Sequence, residues 1–209
     1  MLHQKAADAN TWRVLEKLMT VGGLEDFHLA GGTALALRFG HRLSIDIDMF
    51  TPKVLEKEIM LELLEPYFPD FMEVKTNHKK MYFCYLDKVK TDFVHQPGNI
   101  VDSFEVLDGI RMWGLKDAVG MKLNAIYGRG SKKDFWDLDE LLNYFSLPEM
   151  VDLFFEKSPH AFMEGLILSL VSFQNADEQT APVCLRERNW DDIKVRIRNE
   201  VWKSFRFRK

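Results

Sequence analysis

LAGGTALALRFGHRLSIDIDMF, residues 29–50, is the stretch that decides the fold. It predicts a strand that ends at a Gly-Gly pair, a short helix, a polar turn, and a second strand that carries Asp46 and Asp48. Side chains alternate along a strand, so carboxylates at positions i and i+2 point to the same face. A glycine turn that opens a helix offers N–H groups to an anion. We therefore expect a divalent cation site beside an anion site, which is the smallest combination of sites that can bind a nucleoside triphosphate with its metal ion.

The composition predicts a globular chain with a substantial core. Of the 209 residues 46% are apolar and 29% are charged, which fits one large domain or two small ones. The net charge is -4, yet from Arg186 onward nine Lys and Arg face only four Asp and Glu. Such a basic segment can contact a polyanion, or it can be the solvated face of a helix.

Cysteine usage and hydropathy predict a cytoplasmic protein. Cys84 and Cys184 are far apart and have no metal-binding spacing, which indicates a reducing compartment without disulfides. Residues 1–12 contain no apolar run of the kind found in a signal peptide. The longest apolar run, residues 162–173, is too short to span a membrane and contains Glu164.

Hydrophobic periodicity predicts an α/β part up to about residue 108, followed by a helical part. In the first part we expect an antiparallel meander over three strands, and one more short strand or loop at 106–113. The expected elements before it are helix 11–21, strand 27–30, helix 33–39, strand 45–50 with Ile45, Ile47 and Met49 on its buried side, and a helix from Pro52 to about Pro66. The meander strands are 71–76, 81–86 and 89–95. The later helices are 115–127, 131–145, 148–157, 161–173 and 190–205.

A third carboxylate follows on the strand 89–95. Alternation places Lys90, Asp92 and Val94 on one face of this strand. Asp92 could complete a two-metal site or act as a general base on an attacking hydroxyl. It could equally form a surface pair with its neighbouring lysine.

Two further groups of residues have both a chemical and a structural interpretation. Thr33 could contact a phosphate oxygen or cap the helix that follows Gly32. Lys122 could neutralise phosphate charge. Asp134 could take part in chemistry, although Ser131-x-x-Asp134 also fits a capping box at a helix start.

Several blocks of this sequence together resemble one family. GGTALALRFGHRLSIDIDMF resembles the Gly-Gly-Thr/Ser … Ser-x-Asp-x-Asp-x-Phe signature of the AbiEii-type nucleotidyltransferases, in the DNA polymerase β-like superfamily. KTDF, residues 90–93, looks like the family's later acidic strand. LKDAVGMKLNAIYGRGSKKDFWDLDEL, residues 115–141, looks like its Lys helix, basic loop and Asp-x-x-Asp helix, with Lys133 where Arg is common. Beyond about residue 145 no motif matches.

The resemblance implies a fold and a set of site residues. The fold is a small mixed β-sheet flanked by helices, followed by a C-terminal helical bundle, with a catalytic core at 1–110 and a helical domain at 111–209. The implied residues fall into three roles. Catalytic roles go to Asp46, Asp48, Asp92, Lys122 and Asp134; nucleotide contacts to Gly31, Gly32, Thr33, Ser44 and Lys122; and Mg²⁺ binding to Asp46, Asp48 and Asp92.

The resemblance also implies an activity. An acceptor hydroxyl would attack the α-phosphorus of an NTP, and pyrophosphate would leave. RNA such as a tRNA is the acceptor expected for a toxin of this family, with a cognate antitoxin protein as partner. Two alternatives stay open: a protein or small-molecule acceptor of the aminoglycoside kind, and an inactive module that binds a nucleotide or RNA.

Overall fold

The computed structural model describes residues 1–205 and divides into two compact units, Met1–Gly114 and Leu115–Lys209. In the described residues of the first unit the chain forms a mixed sheet of seven strands in the order β3-β4-β5-β2-β1-β7-β6. The division of the chain into domains after residue 110 stays a prediction. The strands are β1 His28–Leu29, β2 Ile47–Thr51, β3 Phe71–Val74, β4 Met81–Leu86, β5 Val89–His95, β6 Glu105–Leu107 and β7 Ile110–Met112.

The predicted antiparallel meander is confirmed by the pairing of β4 with both β3 and β5. Asp87 and Lys88 connect β4 to β5 with φ angles of 46° and 71°, as a tight two-residue hairpin turn requires. A parallel pairing then joins β5 to β2, and β2 runs antiparallel to β1. These pairings place the strand that carries Asp48 directly beside the strand that carries Asp92.

Three α-helices, together with a 3-10 turn at Gln4–Ala6, accompany the sheet in the described part of the first unit: α1 Ala9–Leu18, α2 Gly31–Phe39 and α3 Lys57–Leu64. The predicted start of α3 at Pro52 is wrong. Thr51 still belongs to β2 and pairs with His95, so the chain remains extended up to the proline. The prediction of Thr33 as helix cap is wrong too, because α2 already begins at Gly31 and Ala30 is its N-cap.

The core of the first unit lies on one face of the sheet. Ile47, Met49 and Phe93 point to this face and are fully buried against helices such as α1. Ile45 was expected on the same side, but its side chain is 59% exposed. The reason is that β2 begins only at Ile47, so the two-residue alternation of a strand does not extend back to Ile45.

The second unit is helical, as predicted. Its close packing is visible at Gly120 in α4 (Leu115–Gly128), where a Cβ atom would lie 2.6 Å from the backbone oxygen of Leu153 in α6 (Leu147–Lys157). A buried ion pair between Lys157 and Asp117 joins the same two helices. The helices are α4 Leu115–Gly128, α5 Lys132–Leu141, α6 Leu147–Lys157, α7 Met163–Val171, α8 Gln174–Asp177 and α9 Trp190–Phe205.

The predicted fold class, a mixed α/β sheet with a following helical part, is therefore confirmed. Within residues 1–205, every helix is too short or too polar to cross a membrane.

Candidate active site

Asp48 and Asp92 lie side by side in the sheet of the first unit. β2 and β5 are parallel, and their register pairs Asp48 with Asp92. Residues paired in this way have side chains on the same face, about 4.8 Å apart in the direction of the backbone hydrogen bonds. Asp48 is partly exposed, whereas Asp92 retains only 7% of its accessible surface. The two carboxylates thus form an acidic pair on the face opposite the core.

The carboxylate of Asp92 is only half satisfied. Its Oδ2 accepts an ion-pair hydrogen bond of 2.5 Å from Lys90 Nζ. Its Oδ1 is buried and has no hydrogen-bond partner among the described residues. A buried carboxylate oxygen without a partner is costly, so it is a ready ligand for a cation.

The raised pKa of Lys90 reflects the negative electrostatic potential of this region. Burial would lower the pKa of its ammonium, but the hydrogen bond and charge of Asp92, followed by the charges of Asp48 and Asp46, raise that pKa above its usual value. Three carboxylates therefore act on one cation here. Carboxylate oxygens are hard donors, which is the ligand type that a divalent ion such as Mg²⁺ prefers.

Asp46 has a different position from the other two aspartates. It lies before β2 begins, so no strand pairing fixes it beside Asp92. In residues 1–205 no three Asp, Glu, His or Cys side chains are already grouped closely enough to hold a metal ion. The expected set of three metal-binding carboxylates is therefore not preassembled, and its role stays a prediction.

Gly31 packs directly against the carboxylate of Asp48. Its φ angle is +65°, and a Cβ atom there would collide with Asp48 Oδ2. The neighbouring Ala30 N–H donates a 2.9 Å hydrogen bond to the backbone oxygen of Asp48. Because α2 begins at Gly31, its first N–H groups lack partners within the helix and are available to an anion. The glycine turn is thus in contact with Asp48, one member of the acidic pair.

Thr33 and Ser44 are buried, at 1% and 7% exposure. Their hydroxyl oxygens are 2.8 Å apart, and the Thr33 hydroxyl also donates a short hydrogen bond to the backbone oxygen of Asp46. These side chains therefore hold the segment before β2 in place, and they do not face outward toward a ligand. Sequence reasoning missed this positioning role, since spacing alone does not show where a hydroxyl points.

Lys122 lies in the second unit, between two aspartates of the following helix. Its Nζ is 2.9 Å from Asp134 Oδ1 and 2.7 Å from Asp137 Oδ2. Lys122 is 4% exposed, and both carboxylates are fully buried. The Asp-x-x-Asp spacing could have indicated this arrangement, because residues three apart on a helix share a face.

Asp134 is the centre of this ionic cluster. The predicted capping box with Ser131 is present, and Arg129 binds both carboxylate oxygens at 2.9 and 3.1 Å. Burial alone would raise the pKa of Asp134, but the charge of Lys122 and the hydrogen bonds of Arg129 and Ser131 hold it far below its usual value. Asp134 is thus ionised and well satisfied within the second unit.

Comparison with known proteins decides the family. Residues 13–205 match the family described as nucleotidyl transferase AbiEii toxin, type IV toxin–antitoxin system. The chain belongs to the AbiEii family. It is therefore a member of a family of nucleotidyltransferase toxins, which confirms the predicted family and enzyme class. An uncharacterized protein of Aquifex aeolicus (strain VF5) is 33% identical over 193 residues, covering 90% of this chain and 92% of the relative.

Solved structures show the same fold at low sequence identity. The AbiEii-family chain is similar to MenT4, a nucleotidyltransferase toxin of Mycobacterium tuberculosis H37Rv, with a TM-score of 0.63 and 14% identity over 92% of this chain and 84% of that one. It is also similar to JHP933 from Helicobacter pylori, with a TM-score of 0.55 and 16% identity over 97% of this chain and 93% of that one.

The basic C-terminal segment of this AbiEii-family chain is largely paired internally. Arg186 forms an ion pair with Glu140, and both Arg188 and Arg196 approach Asp139. Lys194 and Lys203 pair with nearby carboxylates as well, and Arg198 lies over the ring of Phe173. The described part of the segment thus matches the structural interpretation better than the polyanion-binding one. Arg206, Arg208 and Lys209 lie outside the described residues.

Proposed function

We propose that this chain is a Mg²⁺-dependent nucleotidyltransferase that transfers an NMP from an NTP to a hydroxyl of an RNA acceptor such as a tRNA. The observation that carries the proposal is the contact between a glycine turn and an acidic pair. Gly31 touches the carboxylate of Asp48, which the strand register pairs with the half-satisfied Asp92. An anion cradle and a cation site thus adjoin each other within one unit.

Each side chain of this site has a task in the transfer. Asp48 and Asp92, with Asp46 from the preceding segment, would hold Mg²⁺, which when bound neutralises triphosphate charge and favours attack on the α-phosphorus. The N–H groups of Gly31, Gly32 and Thr33 bind phosphate oxygens at the start of α2. Thr33 and Ser44 keep Asp46 in position through their hydroxyls.

Lys122 and Asp134 are proposed as further nucleotide-contacting and catalytic residues on the strength of the resemblance. Lys122 keeps its ammonium ordered through two buried carboxylates, so its charge is held at a defined place in the second unit. Because these two carboxylates are buried with Lys122, the proposal for Lys122 and Asp134 rests on the resemblance and not on their geometry.

Membership in a family of toxins supports a toxin role and a cognate antitoxin protein as partner. The cytoplasm is the compartment we expect for a chain that uses NTPs and RNA. A small open reading frame beside the gene that encodes a protein able to neutralise its toxicity would support this part of the proposal.

Labelled nucleotide transfer tests the proposal directly. The full chain is incubated with each NTP labelled at the α-phosphate and with total RNA, total protein or aminoglycosides, with Mg²⁺ or with EDTA. We expect label in RNA, pyrophosphate release and loss of both with EDTA. Asp48→Asn and Asp92→Asn should each lower the rate by about 100-fold or more, because they remove charge that acts on the transition state.

The exposed Asp152 in α6 provides the control, since Asp152→Asn should transfer at the wild-type rate. Label in protein or in an aminoglycoside would show that the chain is a nucleotidyltransferase whose acceptor is that molecule and not RNA. Retained NTP binding with no transfer to any acceptor would instead favour the inactive binding module.

A further inference from the structure

One face of the strands β3, β4 and β5 has apolar and aromatic side chains that the core does not use. Along β4 the side chains alternate: Tyr82, Cys84 and Leu86 are buried, whereas Phe83 and Tyr85 are partly exposed. Beside them on β3, Met72 is 55% exposed and Val74 is 39% exposed. We refer to Met72, Val74, Phe83 and Tyr85 as the platform.

The platform and the acidic pair share this face. The strand register aligns Val74 with Phe83, Phe83 with Asp92, and Asp92 with Asp48. A second row aligns Met72 with Tyr85 and Tyr85 with Lys90. Paired residues have side chains on one side of the sheet, so the ring of Phe83 lies one strand away from the half-satisfied carboxylate of Asp92.

We propose that the platform binds the unpaired 3′-terminal bases of the RNA acceptor by stacking on Phe83 and Tyr85, which directs the terminal hydroxyl toward Asp48 and Asp92. This inference rests on the proposed function and specifies the acceptor as single-stranded at its reacting end. Stacking on aromatic rings suits such a ligand because every base has a π-face and none needs to be read by its edge.

The position of the glycine turn assigns the platform to the acceptor and not to the NTP. In the order β3-β4-β5-β2-β1, the platform lies on the β4 side of Asp48, whereas Gly31 follows β1 and contacts Asp48 from the other side. In an in-line displacement the attacking oxygen and the leaving pyrophosphate lie on opposite sides of the α-phosphorus. The acceptor therefore belongs on the side away from the phosphate cradle.

The charge beside the platform suits a nucleic acid strand. The loop between β3 and β4 reads KTNHKK at residues 75–80 and contains three exposed lysines and no acid. His78 in this loop contacts the ring of Phe83 edge-on, with 5.9 Å between centroids. Lysines in a loop that joins two platform strands would meet the phosphates of an RNA strand whose bases stack on the platform.

Binding of a fluorescein-labelled single-stranded RNA oligonucleotide, followed by anisotropy at a fixed salt concentration, tests the inference without any need for turnover. Phe83→Leu and Tyr85→Leu keep an apolar side chain and remove the aromatic face. We expect each to weaken binding by about tenfold. Tyr85→Phe should bind like the wild type, because it keeps the ring. Tyr67→Leu, at a tyrosine 38% exposed outside the sheet, is the matched control and should also bind normally.

Steady-state transfer assays separate the acceptor from the nucleotide. We expect Tyr85→Leu to raise the KM for the RNA acceptor and to leave the KM for the NTP unchanged. A raised KM for the NTP alone would overturn the inference, as would wild-type RNA affinity in both leucine variants or no RNA binding by the wild type. If RNA binding depended on Tyr85 but no nucleotide were transferred, the proposed function would be contradicted, whereas the role of the platform in RNA binding would still be supported.

Discussion

At the scale of single residues, Gly31 meets two separate requirements. Its φ of +65° is a conformation that costs other residues about 1–2 kcal/mol, and a Cβ atom would collide with Asp48 Oδ2. We expect Gly31→Ala to displace the Asp48 carboxylate and to lower the rate of nucleotide transfer by about 100-fold, since small misplacements of reacting groups have effects of that size. The thermal unfolding midpoint should fall as well, by about 2–8 °C for a loss of about 1–2 kcal/mol in a chain of this size.

Gly22→Ala is the matched control for this substitution. Gly22 has no atom within 4 Å of the Cβ position, so its variant should match the wild type in both rate and stability. A Gly31→Ala chain with a normal rate of transfer would show that the turn does not need to approach Asp48 closely.

The residues Asp48 and Asp92 also show how much of the site was predictable. Alternation along β5 placed Asp92 on a definite face, and the strand register confirms that this face is shared with Asp48. The direction of the Thr33 hydroxyl was not predictable, because its partners Ser44 and the Asp46 carbonyl are brought to it by the return of the chain into β2. Tertiary contacts of this kind leave no local signal in the sequence.

At the scale of elements, the pair α4 and α5 depends on Asp134 being ionised. Its lowered pKa means that the folded chain retains the charged form at pH values where the unfolded chain, with an ordinary pKa of about 3.9, takes up a proton. The stability from this cluster is therefore complete above about pH 4 and is lost as the pH falls through the pKa of the folded state.

Arg129→Gln tests this pH dependence, and it should fold because the arginine side chain is 62% exposed. The variant should unfold at a lower urea concentration than the wild type at pH 7. Its free energy of unfolding should be lower by about 1.5–3 kcal/mol, because charged hydrogen bonds are lost. The difference should shrink as the pH falls below about 4, because without Arg129 the folded variant protonates Asp134 at a higher pH than the folded wild type does. A difference in the free energy of unfolding that stays constant over this range would contradict the assignment.

The boundaries of elements were predictable where turn chemistry is local. The Asp87-Lys88 turn separates β4 from β5, and both strands have the predicted limits. The start of α3 was not predictable from Pro52. That proline follows the last β2 residue, Thr51, whose pairing with His95 extends the strand to the proline and delays the helix to Lys57.

At the scale of the whole molecule, most of the excess positive charge in the described part of the C-terminal segment is neutralised by ion pairs with carboxylates of the same chain. The excess of Lys and Arg from Arg186 onward was visible in the sequence, but its acidic partners were not. Asp139 and Glu140 are almost fully buried, and they lie more than forty residues earlier in the chain than the arginines that approach them. Charge counts along a sequence cannot distinguish such pairs from a solvent-facing basic surface.

Arg196→Gln tests whether this segment stabilises the fold or binds RNA. Arg196 contacts both the backbone and the carboxylate of Asp139, which is 4% exposed, and Arg188 Nε lies 3.6 Å from the same carboxylate. We expect the free energy of urea unfolding to fall by about 1–3 kcal/mol, because a buried carboxylate loses its best donor. The affinity for single-stranded RNA should not change.

Lys203→Gln, at an exposed pair with Glu200, should alter stability by less than about 1 kcal/mol. If Arg196→Gln had normal stability and bound RNA tenfold more weakly, the segment would have to be assigned to acceptor binding and not to stabilisation of the fold.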